Sequence, residues 1–194
     1  MPLERPSLFG DAVPLDHPAD EKIAPASSKG AGWVTLERCT VIAQEKTNWC
    51  WVATGQAIDH YYRNSNFAQC EIARDFLGPG VCNAGCTNCN DPHELQELLV
   101  HRELFQPPLS IRISFANVKK EIRKPKEHPI CCHIDRPGGH FVIIYGFAEN
   151  PARLALRDPA VDGDQWQLFD DFVKAYKHGG VWDQTYLTAN HAEN

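Results

Sequence analysis

Cys50 lies between two tryptophans, Trp49 and Trp51, at the predicted start of a helix. Asn48 is a suitable N-cap for that helix and would place Cys50 about two residues inside it. The unpaired N–H groups and the dipole at a helix N-terminus favour an anion such as a thiolate, which is the nucleophilic form of cysteine. Taken alone, Cys50 fits a reactive thiol and a buried core cysteine equally well.

His140 begins an apolar segment, HFVIIYGF, directly after Gly138 and Gly139. Glycines allow a backbone to approach a ligand closely, and a strand holds a ring rigidly. His140 therefore suits a general base that activates Cys50. His133 is the nearest alternative, but it lies within a strand-like segment and has no adjacent glycine.

A histidine base needs a partner that orients its ring. Asp158 ends the next strand-like segment, ARLALRD, eighteen residues after His140, and a hairpin would bring the two together. The alternatives are that Asp158 only begins an Asp-Pro turn, or that Asn150 takes its place. Gln44, six residues before Cys50, is a candidate donor, with the Cys50 backbone N–H, to the oxyanion formed by attack on a carbonyl.

The elements that must position these residues change in character along the chain. Helical periodicity predicts helices from Asn48 and over QCEIARDFL, DPHELQELLVHR and SFANVKKEIRK. The segments HPICCHID, HFVIIYGF, ARLALRD, DQWQLF and VWDQTYLT are typical of strands, with DDFVKAY as a short helix between the last two. This order predicts an α+β fold in which a helical half faces an antiparallel sheet across a cleft. Residues 1–32 are predicted to be a flexible leader, and 33–194 a single domain.

Charge and hydropathy exclude several classes of protein. The 194 residues carry a net charge of -6, which argues against a nucleic-acid binder. No apolar run approaches the ~20 residues that span a bilayer, so we expect no membrane partner. The N-terminus has neither a basic start nor an apolar core, so we expect no Sec-type signal peptide. We expect a monomer that is either exported by a specialised secretion system or cytoplasmic.

Eight cysteines are many for a chain of this length, and their even number is compatible with disulfides. A group of four lies in or shortly after the second predicted helix: Cys70, Cys82, Cys86 and Cys89. Their spacing lacks the paired knuckles of common zinc sites, so we rank disulfides before structural zinc and zinc before free thiols. We expect no required cofactor. Cys131 and Cys132 are adjacent in a strand and are expected to fill the core.

These motifs resemble those of papain-like cysteine peptidases. The resemblance rests on Gln44, the six-residue step to Cys50, the tryptophan after it, the GGH segment and the later aspartate. It is closer to compact bacterial members, including avirulence-effector proteases of plant pathogens, in QEKTNWCW, QCEIA, a cysteine-containing loop before LQELL, and GGHFVIIYGF followed by DP. The similarity runs from about Gln44 to Asp158. It implies a two-lobed fold in which the helix that carries the nucleophile faces a twisted antiparallel sheet.

The resemblance also implies a role for each of four residues: Cys50 as nucleophile, His140 as general base and then acid, Asp158 as its orienting partner, and Gln44 as oxyanion donor. Four residues are expected to border the substrate cleft: Trp49, Trp51, Gly138 and Gly139. In addition, we expect Trp51 to shield the pair formed by His140 and Asp158.

The leading hypothesis is a cysteine endopeptidase that hydrolyses peptide bonds of proteins or peptides through a thioester acyl-enzyme, as a bacterial secreted effector or toxin. A second hypothesis keeps the triad but makes the protein a deamidase, transglutaminase or other acyltransferase, because the acceptor is set by the cleft rather than by the triad. A third is a non-catalytic, cysteine-rich binding module on the same scaffold.

Overall fold

The computed structural model describes residues 32–192, except 87, 88, 162 and 178. Apart from Gly32, the predicted leader lies outside the described residues. The helices are α1 (Cys50–Arg63), α2 (Gln69–Leu77), α3 (Leu95–His101), α4 (Phe115–Ile122) and α5 (Phe169–Lys174). The strands are β1 (Trp33–Thr35), β2 (Phe105–Ile111), β3 (Ile130–Asp135), β4 (His140–Ala148), β5 (Arg153–Arg157), β6 (Gln165–Leu168) and β7 (Val181–Thr188).

The strands form one antiparallel sheet in the order β2-β7-β3-β4-β5-β6, and β1 pairs with the far end of β4. All nine residues of β4 are buried, since it has strands on both sides and helices packed against it. Helices α1, α2 and α3 contact one another, whereas α4 and α5 pack on the sheet. The predicted α+β fold is confirmed, with the difference that only the first three helices form the helical half.

Helix α1 packs its apolar face against β4. Ala53, Ala57 and Ile58 lie on this face and are all at most 3% exposed. On another side of α1, Gly55 faces α3: a Cβ added to it would lie 2.4 Å from Cδ2 of Leu98. These two contacts fix α1 between α3 and the sheet, so the position of its N-terminus is set by the core.

The hairpin of β4 and β5 determines what lies beside the first residue of β4. Arg157 at the end of β5 pairs with Ile143, and a register shift follows between Ile144 and Gly146. The residue after β5 is Asp158, and it lies beside His140, the residue that begins β4. The predicted hairpin therefore brings together two residues that are eighteen positions apart in the sequence.

The structure differs from the prediction at helix α3 and at strand β2. Helix α3 begins at Leu95 rather than at Asp91, because the Asp91 carbonyl accepts a hydrogen bond from the Trp51 indole and the preceding loop stays extended. Strand β2 was not predicted, since Pro107 and Pro108 remove two backbone donors. An edge strand tolerates that loss, and β2 is an edge of the sheet. None of the described helices is long and apolar enough to cross a membrane.

Candidate active site

Cys50 is the first residue of α1, and Trp49 is the N-cap without a capping side chain. The prediction that Asn48 caps this helix is wrong. Its backbone N–H and its side-chain amide instead donate to Asn90, at 3.0 and 2.8 Å. Among the described residues, nothing accepts a hydrogen bond from the backbone N–H of Cys50. The first turn of α1 thus keeps free donors next to the thiol.

Asn90 fixes the two residues that precede Trp49 by three hydrogen bonds. In addition to the two bonds from Asn48, its Nδ2 donates to Oγ1 of Thr47 at 2.7 Å. The Trp49 indole donates to the Cys89 carbonyl at 2.7 Å, one residue before Asn90. The loop that contains Asn90 therefore fixes the position of the segment that leads into Cys50.

Disulfides fix the loop that contains Asn90. Cys70 is joined to Cys82, and Cys86 is joined to Cys89. The structure thus has the arrangement that the sequence ranked first, and sulfurs in disulfides cannot serve as zinc thiolates. Within the part of the chain that the structure describes, no group of three or more potential ligands could hold a metal ion.

The turn before His140 requires glycine for its backbone. Gly138 and Gly139 have φ angles of 83° and 61°, in the left-handed region that side chains disfavour. The turn closes with a hydrogen bond from the Gly139 N–H to the Arg136 carbonyl at 2.8 Å. A Cβ at Gly138 would meet no atom within 4 Å. The glycines thus shape the turn, and the space beside Gly138 is open.

His140 lies between Asp158 and Cys50. Its Nε2 is 2.7 Å from Oδ1 of Asp158, and its ring also interacts with the Cys50 thiol. Because Nε2 faces the carboxylate, Nδ1 is the ring nitrogen that remains for Cys50. The histidine and the aspartate are 2% and 1% exposed, so water does not compete for this contact.

Charge and burial act in opposite directions on this pair. Burial alone would lower the pKa of His140, but the Asp158 carboxylate and hydrogen bonds to Asp158 and Cys50 raise it to about 9. Burial alone would raise the pKa of Asp158, but His140, with help from Lys177 and Tyr176, holds it well below its usual range. At neutral pH the pair is therefore an imidazolium bound to a carboxylate.

This pKa predicts how activity depends on pH. A thiolate paired with an imidazolium requires a protonated His140, which is present below its pKa and is lost as the pH rises through about 9. We expect kcat/KM for any reaction that uses this thiolate–imidazolium pair to fall on the alkaline side with a midpoint near this pH. A midpoint close to 6.5, the ordinary value for histidine, would contradict the buried ion pair.

Gln44 lines the same cleft as Cys50 and His140, but its amide is bound within its own loop. Its Nε2 donates to the carbonyls of Lys46 and Thr47 at 2.8 and 2.6 Å. Donation to an oxyanion thus requires that the amide exchange one of these bonds. Its backbone N–H donates to the Pro159 carbonyl at 2.9 Å, which ties the loop to the residue after Asp158.

A cleft of about 290 Å³ lies above the thiol. One side is formed by residues 43–48 and Cys50, and the rest by Arg136, Gly138, Gly139, His140, Pro159 and Ala160. Both glycines thus border the cleft as expected. The thiol and the imidazole meet at its surface, which gives a carbonyl group access to both.

The expectation that Trp49 and Trp51 border the cleft is wrong. Their exposed fractions are 1% and 0%, and neither lines the cleft. The Trp51 ring packs against Phe76 and His93, with centroids at 5.8 and 4.8 Å, and does not shield the histidine–aspartate pair. Successive helical side chains point about 100° apart, so a cysteine that faces the cleft turns Trp51 away from it. Trp49 precedes the helix, and its buried indole donates to the Cys89 carbonyl.

Three residues of the site were missed from the sequence. Asn90 binds the segment just before Cys50, and the buried Gln69 binds the start of that segment. The Gln69 amide accepts from the N–H of residue 45 and donates to the carbonyl of residue 43, each at 2.9 Å. Arg136 lines the cleft. Single amides and a lone arginine in loops give no periodic or motif signal, and their contacts join distant parts of the chain.

Comparison with known proteins agrees with this geometry. No curated protein matches the chain. The family described as papain-like cysteine protease AvrRpt2 matches residues 34–177, which is well over half of the chain and includes all the residues of the site. Enzymes of this kind are hydrolases that act on proteins and need no cofactor. The chain therefore belongs to the family of the papain-like cysteine protease AvrRpt2.

Proposed function

We propose that the protein hydrolyses peptide bonds with Cys50 as nucleophile, His140 as general base and acid, and Asp158 as the residue that orients His140. The observation that supports this most is the position of the His140 ring between the Asp158 carboxylate, at 2.7 Å, and the Cys50 thiol, at an open cleft. A triad is recognised by such geometry and not by position in the sequence.

In the first half of the reaction the Cys50 thiolate attacks the carbonyl carbon of the peptide bond and forms a C–S bond. The carbonyl oxygen becomes an oxyanion, and the backbone N–H of Cys50 at the start of α1 is a donor available to it. When the C–N bond breaks, the His140 imidazolium gives its Nδ1 proton to the leaving amine. The product is a thioester on Cys50 and a neutral His140.

In the second half His140 accepts a proton from water, and the oxygen of that water attacks the thioester carbonyl. The C–S bond breaks, the carboxylic acid leaves, and the thiolate and imidazolium are restored. Gln44 lies beside Cys50 in the cleft. We assign its amide to the oxyanion after one of its two loop bonds is exchanged.

Mass spectrometry of a cell lysate treated with the protein tests this function. We expect new N-termini in the treated sample and none after treatment with a Cys50→Ala variant. Intact substrates with glutamine or asparagine converted to the acid would instead identify a deamidase, and cross-linked or acylated products would identify a transferase. A sample without any change, together with an unreactive Cys50, would support the binding module.

We extend the proposal to a role as a secreted bacterial effector, because the family to which the chain belongs is of the avirulence-effector type. Detection of the protein in the culture medium of its source cells, without lysis markers, would support this role. Its retention inside the cells under all growth conditions would contradict it.

A further inference from the structure

Asp158 has donors on both carboxylate oxygens. Oδ1 is 2.7 Å from Nε2 of His140 and accepts from the Ala160 N–H at 2.9 Å. Oδ2 accepts from the Tyr176 hydroxyl at 2.6 Å and from Nζ of Lys177 at 2.9 Å. Four donors thus surround a carboxylate that is 1% exposed. Two of them come from the segment between α5 and β7, which the triad itself does not use.

Tyr176 is held rigidly and directs its proton to Asp158. The side chain is fully buried and packs on Phe172 of α5, with ring centroids 5.3 Å apart. Its backbone N–H donates to the Gly180 carbonyl at 2.6 Å. The hydroxyl has one proton and two candidate acceptors, Asp158 at 2.6 Å and Gln165 Oε1 at 3.4 Å, so the carboxylate receives it.

Lys177 supplies a positive charge that does not depend on the state of His140. Its side chain is 13% exposed and forms an ion pair with Oδ2 of Asp158. When His140 gives its proton to the leaving amine, Asp158 loses its other cationic partner. A buried carboxylate without a partner is costly and tends to take a proton. With Lys177 in place, Asp158 stays ionised through both halves of the reaction.

We propose that Tyr176 and Lys177 are positioning residues that keep Asp158 oriented and ionised, so that the aspartate presents one fixed acceptor to His140. The proposal rests on the function proposed above. Two other titratable groups of the described residues face this cluster. Cys50 approaches the His140 ring from α1, and Arg136 acts on Tyr176 from the turn before β4. Neither donates to Oδ2 of Asp158.

The test compares Lys177→Met with Lys177→Arg and with Lys174→Met, an exposed lysine on α5 whose loss changes the net charge equally. We expect Lys177→Met to lower kcat about tenfold with KM nearly unchanged, because Asp158 loses a fixed partner and then orients His140 less well. Without the lysine charge the imidazolium is favoured, so the alkaline midpoint of kcat/KM moves up, on the order of one pH unit. We expect Lys177→Arg to keep most of the wild-type kcat and a midpoint close to that of the wild type. Lys174→Met should change neither kcat nor the midpoint.

Tyr176→Phe keeps the ring and removes only the hydroxyl. We expect it to lower kcat with a smaller shift of the alkaline midpoint than Lys177→Met, because no charge is lost. Wild-type kcat and wild-type midpoints in both variants would overturn the proposal. If Lys177→Met does not fold, Lys177→Gln takes its place, and a wild-type kcat and midpoint in both Lys177→Gln and Tyr176→Phe would equally overturn the proposal.

A readout without turnover separates this proposal from the proposed function. The imidazole of His140 is titrated by NMR in a Cys50→Ala background, with and without Lys177→Met. An upward shift of the His140 midpoint supports the role of Lys177 even if no substrate is ever cleaved. An unchanged midpoint contradicts that role even if the wild-type protein is an active peptidase.

Discussion

Replacement of Cys50 by alanine is expected to lower kcat for peptide hydrolysis by about 10⁴-fold or more, because the reaction loses its nucleophile. The fold should survive, since Cys50 is 8% exposed at the start of α1 and alanine suits that position in a helix. Cleavage of a fluorogenic peptide and the thermal unfolding midpoint, measured on the same preparations, check both expectations.

Cys39→Ala is a matched control, because Cys39 is also a free cysteine but is fully buried away from the cleft. We expect it to retain activity. Burial raises the pKa of the Cys39 thiol to about 12 and that of Cys131 and Cys132 well above the ordinary value. Iodoacetamide should therefore alkylate Cys50 first in the native protein. Undiminished cleavage by Cys50→Ala, or a wild-type Cys50 that never reacts, would exclude this residue as nucleophile.

Replacement of His140 by alanine is expected to lower kcat by about 10³-fold or more, since both general base and general acid are lost. The thiol should also react more slowly with iodoacetamide, because the thiolate loses its cationic partner. Asp158 would then be buried with Lys177 as its remaining charged partner, so a lower unfolding midpoint is also expected. Steady-state kinetics and the rate of alkylation at Cys50 measure these effects.

The chain offers a close control in His133, which lies on the neighbouring strand β3 and binds Asp183 through Nδ1 at 2.8 Å. His133→Ala removes a second histidine–aspartate pair of similar geometry that is not part of the cleft. We expect it to leave kcat and the alkylation of Cys50 close to wild type. Equal losses in the two variants would mean that His140 acts through stability alone.

Local patterns were sufficient for most of the elements and for the main candidates of the site. Strand β4 was predicted from an unbroken apolar segment, and α2 has the bounds of the predicted helical segment QCEIARDFL. The predicted segment of α4 begins at Ser114, which caps the helix by accepting from the Asn117 N–H at 3.3 Å. Cys50, His140 and Asp158 were singled out because each stands at the predicted end of an element, where a side chain can be presented.

Contacts between distant segments determined the side-chain orientations that local patterns did not predict. Asn48 looked like a cap because capping is judged from neighbours in sequence, but Asn90, forty-two residues away, takes both of its donors. Trp49 and Trp51 were expected at the cleft because they flank Cys50 in the sequence, but the Trp49 indole donates to the Cys89 carbonyl and the Trp51 ring packs against Phe76 and His93.

By itself, the sequence determined the α+β class, the strands of the central hairpin and the residue types able to perform thiol chemistry, because these depend on periodicity and on chemistry within a few residues. Only the tertiary structure decided that Nε2 of His140 faces Asp158, that Tyr176 and Lys177 occupy the far oxygen of that carboxylate, and that two disulfides fix the loop holding Asn90. The physical reason is that burial and charge pairing are properties of the packed chain. They join residues whose separation in sequence carries no periodic signal.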